Sequence, residues 1–279
     1  MEIKYIVKQD QITVRDFLEQ QGYSRTFRKK IRLNDVIFIN GVPARNHTLL
    51  KSDDVVVVKT EETLNPEFLL NSSPIHVVFE DEYLLIIDKP AGVATQPSHK
   101  HLQDNVISMV ATYYQTQRIN ANIHILTRLD YQTTGLMVIA KSGVIQQMLS
   151  NRKIMKKYLC DIKGHINPPS GLIDLPIKRV TDYDIRRWVA PDGQQAQTKY
   201  QTIEEGQENS RLEVELLTGR THQIRIHMAY MQHPLLGDNL YGDQVGPLHL
   251  HCCEVSFLHP ITKRPICINS SPIWINNHI

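Results

Sequence analysis

From residue 75 onward the chain is built of short apolar runs of strand length, each closed by a turn. Residues 75–79 and 83–87 flank the acidic turn Glu80-Asp81-Glu82, and Lys89-Pro90-Ala91-Gly92 breaks the second run. Runs of this length, bounded by turn residues, read as strands. Only 105–114, 144–151 and 221–231 carry helical spacing. There is no strand–helix–strand rhythm and no internal repeat. This pattern predicts an α+β domain on a large, mostly antiparallel sheet.

The first sixty residues differ. Thr13 is placed to cap a helix, with Asp16 as its capping-box partner. Val14, Phe17 and Leu18 mark the buried side and Gly22 is a natural stop. Ser24 opens a second helix with Phe27 and Ile31 inward. Arg25, Arg28, Lys29 and Arg32 fall at i, i+3, i+4 and i+7 and share one face. Extended runs follow on either side of Asn40-Gly41, a hairpin signal, and 54–58 closes the segment. Residues 1–60 hold eleven Lys and Arg against seven Asp and Glu, a net of +4. The whole chain carries +2, so the remainder is near −2. A basic excess confined to one end points to a nucleic acid or another acidic surface. Four cations on one side of a short helix favour phosphate contact over a merely solvated face. Over about residues 12–60 the pattern resembles the S4-like RNA-binding domain. Residues 61–74 are polar with a proline and read as a linker.

Composition bounds the rest. An apolar fraction of 41% supports a sizeable core. Cys160, Cys252, Cys253 and Cys267 form no CxxC pair and read as reduced thiols. The N-terminus lacks an apolar signal region, and no apolar run approaches the roughly 18 residues of a bilayer span. A soluble, cytoplasmic protein with no membrane partner is expected.

Three stretches bear chemistry. In HILTRLDYQTTGLMVIAKS, residues 124–142, a polar turn carrying Asp130 feeds the apolar run 136–140, which reads as a strand buried on both faces. A carboxylate beside a core sheet needs a cation or several donors. Arg128 projects to the same side if that piece is extended. By spacing alone, Asp130 reads as a residue that binds turn amides. The second stretch, 216–242, ends a strand at Thr218-Gly219 and enters a helix striped by Ile224, Met228 and Met231. Its clustered His and Arg suit either an anion site or a surface face. His222 and His227 are five apart, not four, so no helix-face metal pair is expected. The third, 155–162, is a strand in which Tyr158 reads as packing.

Together these stretches resemble the RluA family of pseudouridine synthases. The resemblance rests on Arg128-Leu129-Asp130-Tyr131-Gln132-Thr133-Thr134-Gly135, Lys157-Tyr158-Leu159, and the run TGRTHQIRIH…HPLLGDNLYG from Thr218 to Gly242. It extends over residues 75–272, and an S4-like segment is a common N-terminal partner. It implies a pseudouridine synthase core with a large, mostly antiparallel mixed sheet over 75–279, a linker at 63–74 and an S4-like α/β RNA-binding domain at 1–62. It implies isomerisation of uridine in ribosomal or transfer RNA by a monomer, without metal or cofactor. Asp130 then corresponds to the essential aspartate, which attacks C1′ or takes a proton from C2′. Arg225 corresponds to the arginine paired with it. Tyr158 corresponds to the tyrosine that packs on the base. Arg128 corresponds to the residue that fills the gap left by a flipped nucleotide. Arg25, Arg28, Lys29 and Arg32 would add RNA contacts. The family has histidine where this chain has Thr127. Two other classes compete: a non-catalytic RNA-binding or ribosome-assembly protein that keeps the fold, and a sugar hydrolase, for which a second carboxylate is lacking.

Overall fold

The structure is a computed structural model that describes the chain except residues 32–35, 61, 151, 182, 244 and 277–279, and the side chains of 29–31. Its centre is a 10-stranded sheet. The strands run in the order Ser170–Asp174, Gln197–Glu205, Asn209–Leu216, Met155–Lys163, Leu250–Leu258, Thr134–Ala140, Leu84–Lys89 and His76–Glu80, with Pro265–Asn269 and His124–Ile125 added at the side. Every pairing is antiparallel except that of Thr134–Ala140 with Leu250–Leu258. The sheet is therefore mixed and mostly antiparallel, as expected. Three helices, Val106–Thr116, Gly143–Ser150 and Gln223–Tyr230, match the three helical candidates to within two residues at each end.

The run 136–140 is the keystone. All five side chains, Leu136 to Ala140, are fully buried. Each of the larger ones contributes about 1.5–3 kcal/mol relative to exposure. Gly135 opens this strand at φ +110°. A Cβ there would lie 2.4 Å from the carbonyl oxygen of Cys252 on the parallel neighbour. Only glycine allows both the backbone conformation and the approach. Gly135→Ala is expected to cost at least about 2 kcal/mol in urea unfolding, from backbone strain and overpacking together. A variant as stable as the wild type would refute this account.

The N-terminal segment forms its own four-stranded sheet, with Glu2–Ile6, Val55–Lys59, Ile37–Ile39 and Val42–Pro43 adjacent in that order. Thr13 caps the helix Val14–Gln20 by accepting from the Asp16 amide, and Gly22 follows it at φ +94°. Asn40 and Gly41 both take positive φ in the tight turn between two strands, as a type I′ hairpin requires. The basic face requires a correction. Arg28 is ion-paired with Glu19 of the preceding helix, and its side chain is only 12% exposed. Packing the two short helices together brings the carboxylate to the cation, which a single-helix projection cannot show. Arg25 is exposed. The Lys29 side chain and Arg32 lie outside the described residues.

The segment after this sheet is docked on the core. Glu62 accepts from the Gly143 amide at 2.9 Å, at the start of a helix. The Asn71 amide reaches Thr112 Oγ1, also at 2.9 Å. Leu64 and Phe68 pack against the common core.

Candidate active site

Asp130 sits in a loop pinned from three sides. Upstream, Thr127 is buried, and its Oγ1 accepts from the Val138 amide at 2.9 Å while its own amide donates to Val138 O. The threonine that stands in place of the family histidine is thus a clip on the central strand. Next, Leu129 turns inward while Arg128 is exposed and Asp130 half-buried. That alternation sends Arg128 and Asp130 to the cleft side, as extended backbone dictates. Thr95 Oγ1 donates to Leu129 O at 2.7 Å and accepts from Leu129 N. Downstream, the Thr133 amide closes a turn onto Asp130 O.

Lys89 is the hub beneath this turn. It is fully buried, and its ammonium donates to Pro90 O at 2.8 Å, Val93 O at 3.0 Å and Tyr131 O at 3.3 Å. Burial pushes its pKa down to about 7, and the charges of Asp130 and Asp88 oppose this. Three accepting carbonyls match the three hydrogens of the protonated form. Lys89 therefore ties the loop 90–93 to the loop of Asp130.

Facing the carboxylate is the start of the helix Gln223–Tyr230. The His222 amide, in left-handed conformation at φ 58°, donates to Asp130 Oδ2 at 3.3 Å. The positive end of the helix dipole thus meets a negative group. Burial lowers the His222 imidazole, with Asp130 opposing and Arg225 assisting, which favours the neutral ring near pH 7.

Arg225 departs from expectation. It is not held by Asp130. Its Nε and Nη2 fork onto Asp238 at 2.8 and 2.6 Å, and Nη2 also reaches Asn239 Oδ1 at 3.2 Å. Both partners are buried. Asp238 also accepts from the Leu240 and Tyr241 amides. Burial alone would raise Asp238, but Arg225 and these amides more than offset it and hold the carboxyl below its ordinary range. The turn after Pro234 returns Asp238 to the helix face that carries Arg225. The bidentate geometry available there is the strong form of the arginine–carboxylate pair.

Tyr158, on the strand Met155–Lys163, is buried and lines the same cavity as Arg128, Asp130, Lys156 and Leu250. Burial pushes its phenol well above the ordinary value, and Cys252 and Asp130 act in the same direction. The hydroxyl is therefore neutral. An adjoining cleft of about 550 Å³ shares Arg128, Leu129, Asp130, Thr221 and His222, and opens toward His101, Tyr131 and Arg187. Among the described residues Asp130 is the only carboxylate that lines either hollow.

The structure brings Asp130, Tyr158 and Arg128 together in one cavity, while Arg225 lines neither hollow and is bound to Asp238. Sequence reasoning missed Lys89, Thr95, Lys156 and Asp238. Two of these had a visible signal: Lys89 in the strand-breaking Lys-Pro-Ala-Gly, and Asp238 within the Leu-Leu-Gly-Asp of the third motif.

Residues 83–230 match the family model described as RNA pseudouridylate synthase. The chain is 34% identical to the uncharacterized RNA pseudouridine synthase YjbO of Bacillus subtilis over 91% of its own length and 93% of the relative's. It is 32% identical to ribosomal large subunit pseudouridine synthase D of Vibrio cholerae, covering 88% and 82%. Among solved structures, human RNA pseudouridylate synthase domain containing 4 superposes with a TM-score of 0.59 at 22% identity, covering 71% of this chain and 89% of that one. Human RNA pseudouridylate synthase domain containing 1 gives 0.60 at 18%, covering 74% and 86%. These two share the fold.

Proposed function

The chain belongs to the RNA pseudouridine synthases of the RluA type, isomerases that act on RNA, and from that premise we propose that it converts specific uridines of ribosomal RNA with Asp130 as the reacting carboxylate. The observation that carries the role of Asp130 is its solitude. Hydrolysis of a glycosidic bond uses two carboxyl groups, one for the leaving oxygen and one for water or the sugar. Here, among the described residues, a single carboxylate lines the cleft. One carboxylate suffices when the base that leaves is the group that returns: the N1–C1′ bond breaks and a C5–C1′ bond forms within the same pocket.

The surrounding residues suit that sequence. The His222 amide orients Asp130 Oδ2 toward the cleft. Tyr158 offers a buried ring for the base to pack on, with a hydroxyl that stays neutral. Arg128, exposed at the mouth, has the planar guanidinium to stack into the space a flipped nucleotide vacates. Arg225, fixed by Asp238, is a positioning residue that supports the helix start facing Asp130. In this reading residues 1–62 are an S4-like RNA-binding domain. Two short helices, the Asn40-Gly41 hairpin and the closing strand Val55–Lys59 support it, and exposed Arg25 is available to phosphate. We place the protein in the cytoplasm, acting as a monomer. Among the described residues no helix is long and apolar enough to cross a membrane.

The test is a comparison of pseudouridine maps of total RNA between wild type and a deletion strain. At least one ribosomal RNA site should disappear on deletion and return with the wild-type gene. Loss confined to transfer RNA would reassign the substrate. Identical maps would remove the proposal.

A further inference from the structure

Two adjacent lysines on the strand Met155–Lys163 point to opposite faces of the sheet. Lys157 is neutralised: its Nζ lies 3.2 Å from Glu213 and 4.0 Å from Glu254. Lys156 shares the face of Tyr158 and lines the cavity with it and Asp130. It is half-buried. Among the described residues its side chain has neither an ion pair nor a hydrogen bond. Burial lowers its pKa, Cys252 and Asp130 oppose that, and Arg128 adds to it. An ammonium partly withdrawn from water and given no partner loses solvation that an anion in the cavity would replace. Its one nearby carboxylate, Asp130, is engaged by the His222 amide. The cavity therefore holds a cation that waits for an anion.

The reaction proposed above supplies one. When N1–C1′ breaks, both bonding electrons stay with uracil, and the charge spreads over N1, O2 and O4. The base then uses an electron pair to form C5–C1′, the C5 hydrogen leaves as a proton, and N1 takes a proton up. The product is neutral, so the anion exists only between the two bond changes. We propose that Lys156 donates a hydrogen bond to a carbonyl oxygen of the target uracil and stabilises the uracil anion while it is detached from the ribose. Tyr158 is the floor under the same ring. A fixed charge placed where charge develops, in a half-desolvated pocket, is the most effective form of such help. This inference rests on the isomerase reading.

The test uses full-length enzyme and large-subunit ribosomal RNA transcribed in vitro, containing either uridine or 5-fluorouridine. Fluorine stabilises the detached base anion by itself, so a residue with that task matters less. Lys156→Met should slow single-turnover conversion of uridine by about a hundredfold. It should slow rearrangement of 5-fluorouridine by less than about tenfold, with RNA affinity and melting temperature unchanged. Lys156→Arg should restore most of the uridine rate. Lys157→Met, on the opposite face, should stay within about threefold of wild type. Equal defects on both RNAs, or a wild-type rate in Lys156→Met, would overturn the role. If Lys156→Met does not fold, Lys156→Gln carries the same comparison. A wild-type enzyme that leaves both RNAs unmodified overturns the isomerase reading and this inference with it. That outcome is distinct from a failure specific to Lys156.

Discussion

Asp130→Asn is expected to lower pseudouridine formation by roughly 10³-fold while leaving RNA binding nearly intact. The amide has the carboxylate's shape, and its carbonyl oxygen can still accept from the His222 amide, so the loop should keep its form. It cannot attack C1′, and it cannot take a proton from C2′. The check is mass-spectrometric quantification of pseudouridine in RNA from cells that carry only the variant, alongside binding of the purified protein to the same RNA. Near-normal pseudouridine with the variant would remove Asp130 from the chemistry. It would also restore the bland reading of this residue as a turn former.

That bland reading shows where local sequence stops being informative. The spacing around Asp130 could place a turn before a buried strand, and it did: residues 136–140 are buried to the last side chain. It could not show that the Asp130 loop is held by Lys89, 42 residues upstream of the carbonyl of Tyr131. A lysine beside a proline at a strand break reads as solvated, and only the convergence of three carbonyls makes it a buried hub. Arg28 fails in the other direction. Helical periodicity correctly put it on a face with Arg25, but the neutralising Glu19 comes from another helix. Thr127 was a gap in the family pattern. Its bond to the Val138 amide gives the position a structural task that needs no imidazole. In each case the missing information is a tertiary partner, which periodicity does not encode.

The largest expected effect on stability belongs to Asp238. Asp238→Ala should destabilise the protein by about 3–5 kcal/mol, because it leaves a buried guanidinium without its counter-charge. It also strips acceptors from the Leu240 and Tyr241 amides. Urea unfolding reads the loss directly, and a change below about 1 kcal/mol would mean the pair is not buried as described. The double variant Arg225→Met with Asp238→Leu should regain much of the stability, since an apolar pair of similar volume removes both charges together. It should not regain full activity if Arg225 is what steadies the helix start that faces Asp130. A double variant that is both stable and fully active would reduce the arginine to a structural accident.

The one parallel pairing in the large sheet has a further consequence, for the order in which the molecule is made. Thr134 and Gly135 lie beside His251 and Cys252, and Thr134 Oγ1 bonds the ring of His251, 117 residues later in the chain. Contacts of such long range are slow to form, because the loop between them must close before they return any energy. During synthesis the Asp130 loop emerges long before its neighbouring strand exists. A nascent chain that stops short of residue 250 has the carboxylate, the tyrosine and both arginines, yet lacks the strand beside Gly135 that fixes where the loop ends. The site around Asp130 is therefore not completed until the strand Leu250–Leu258 has been made.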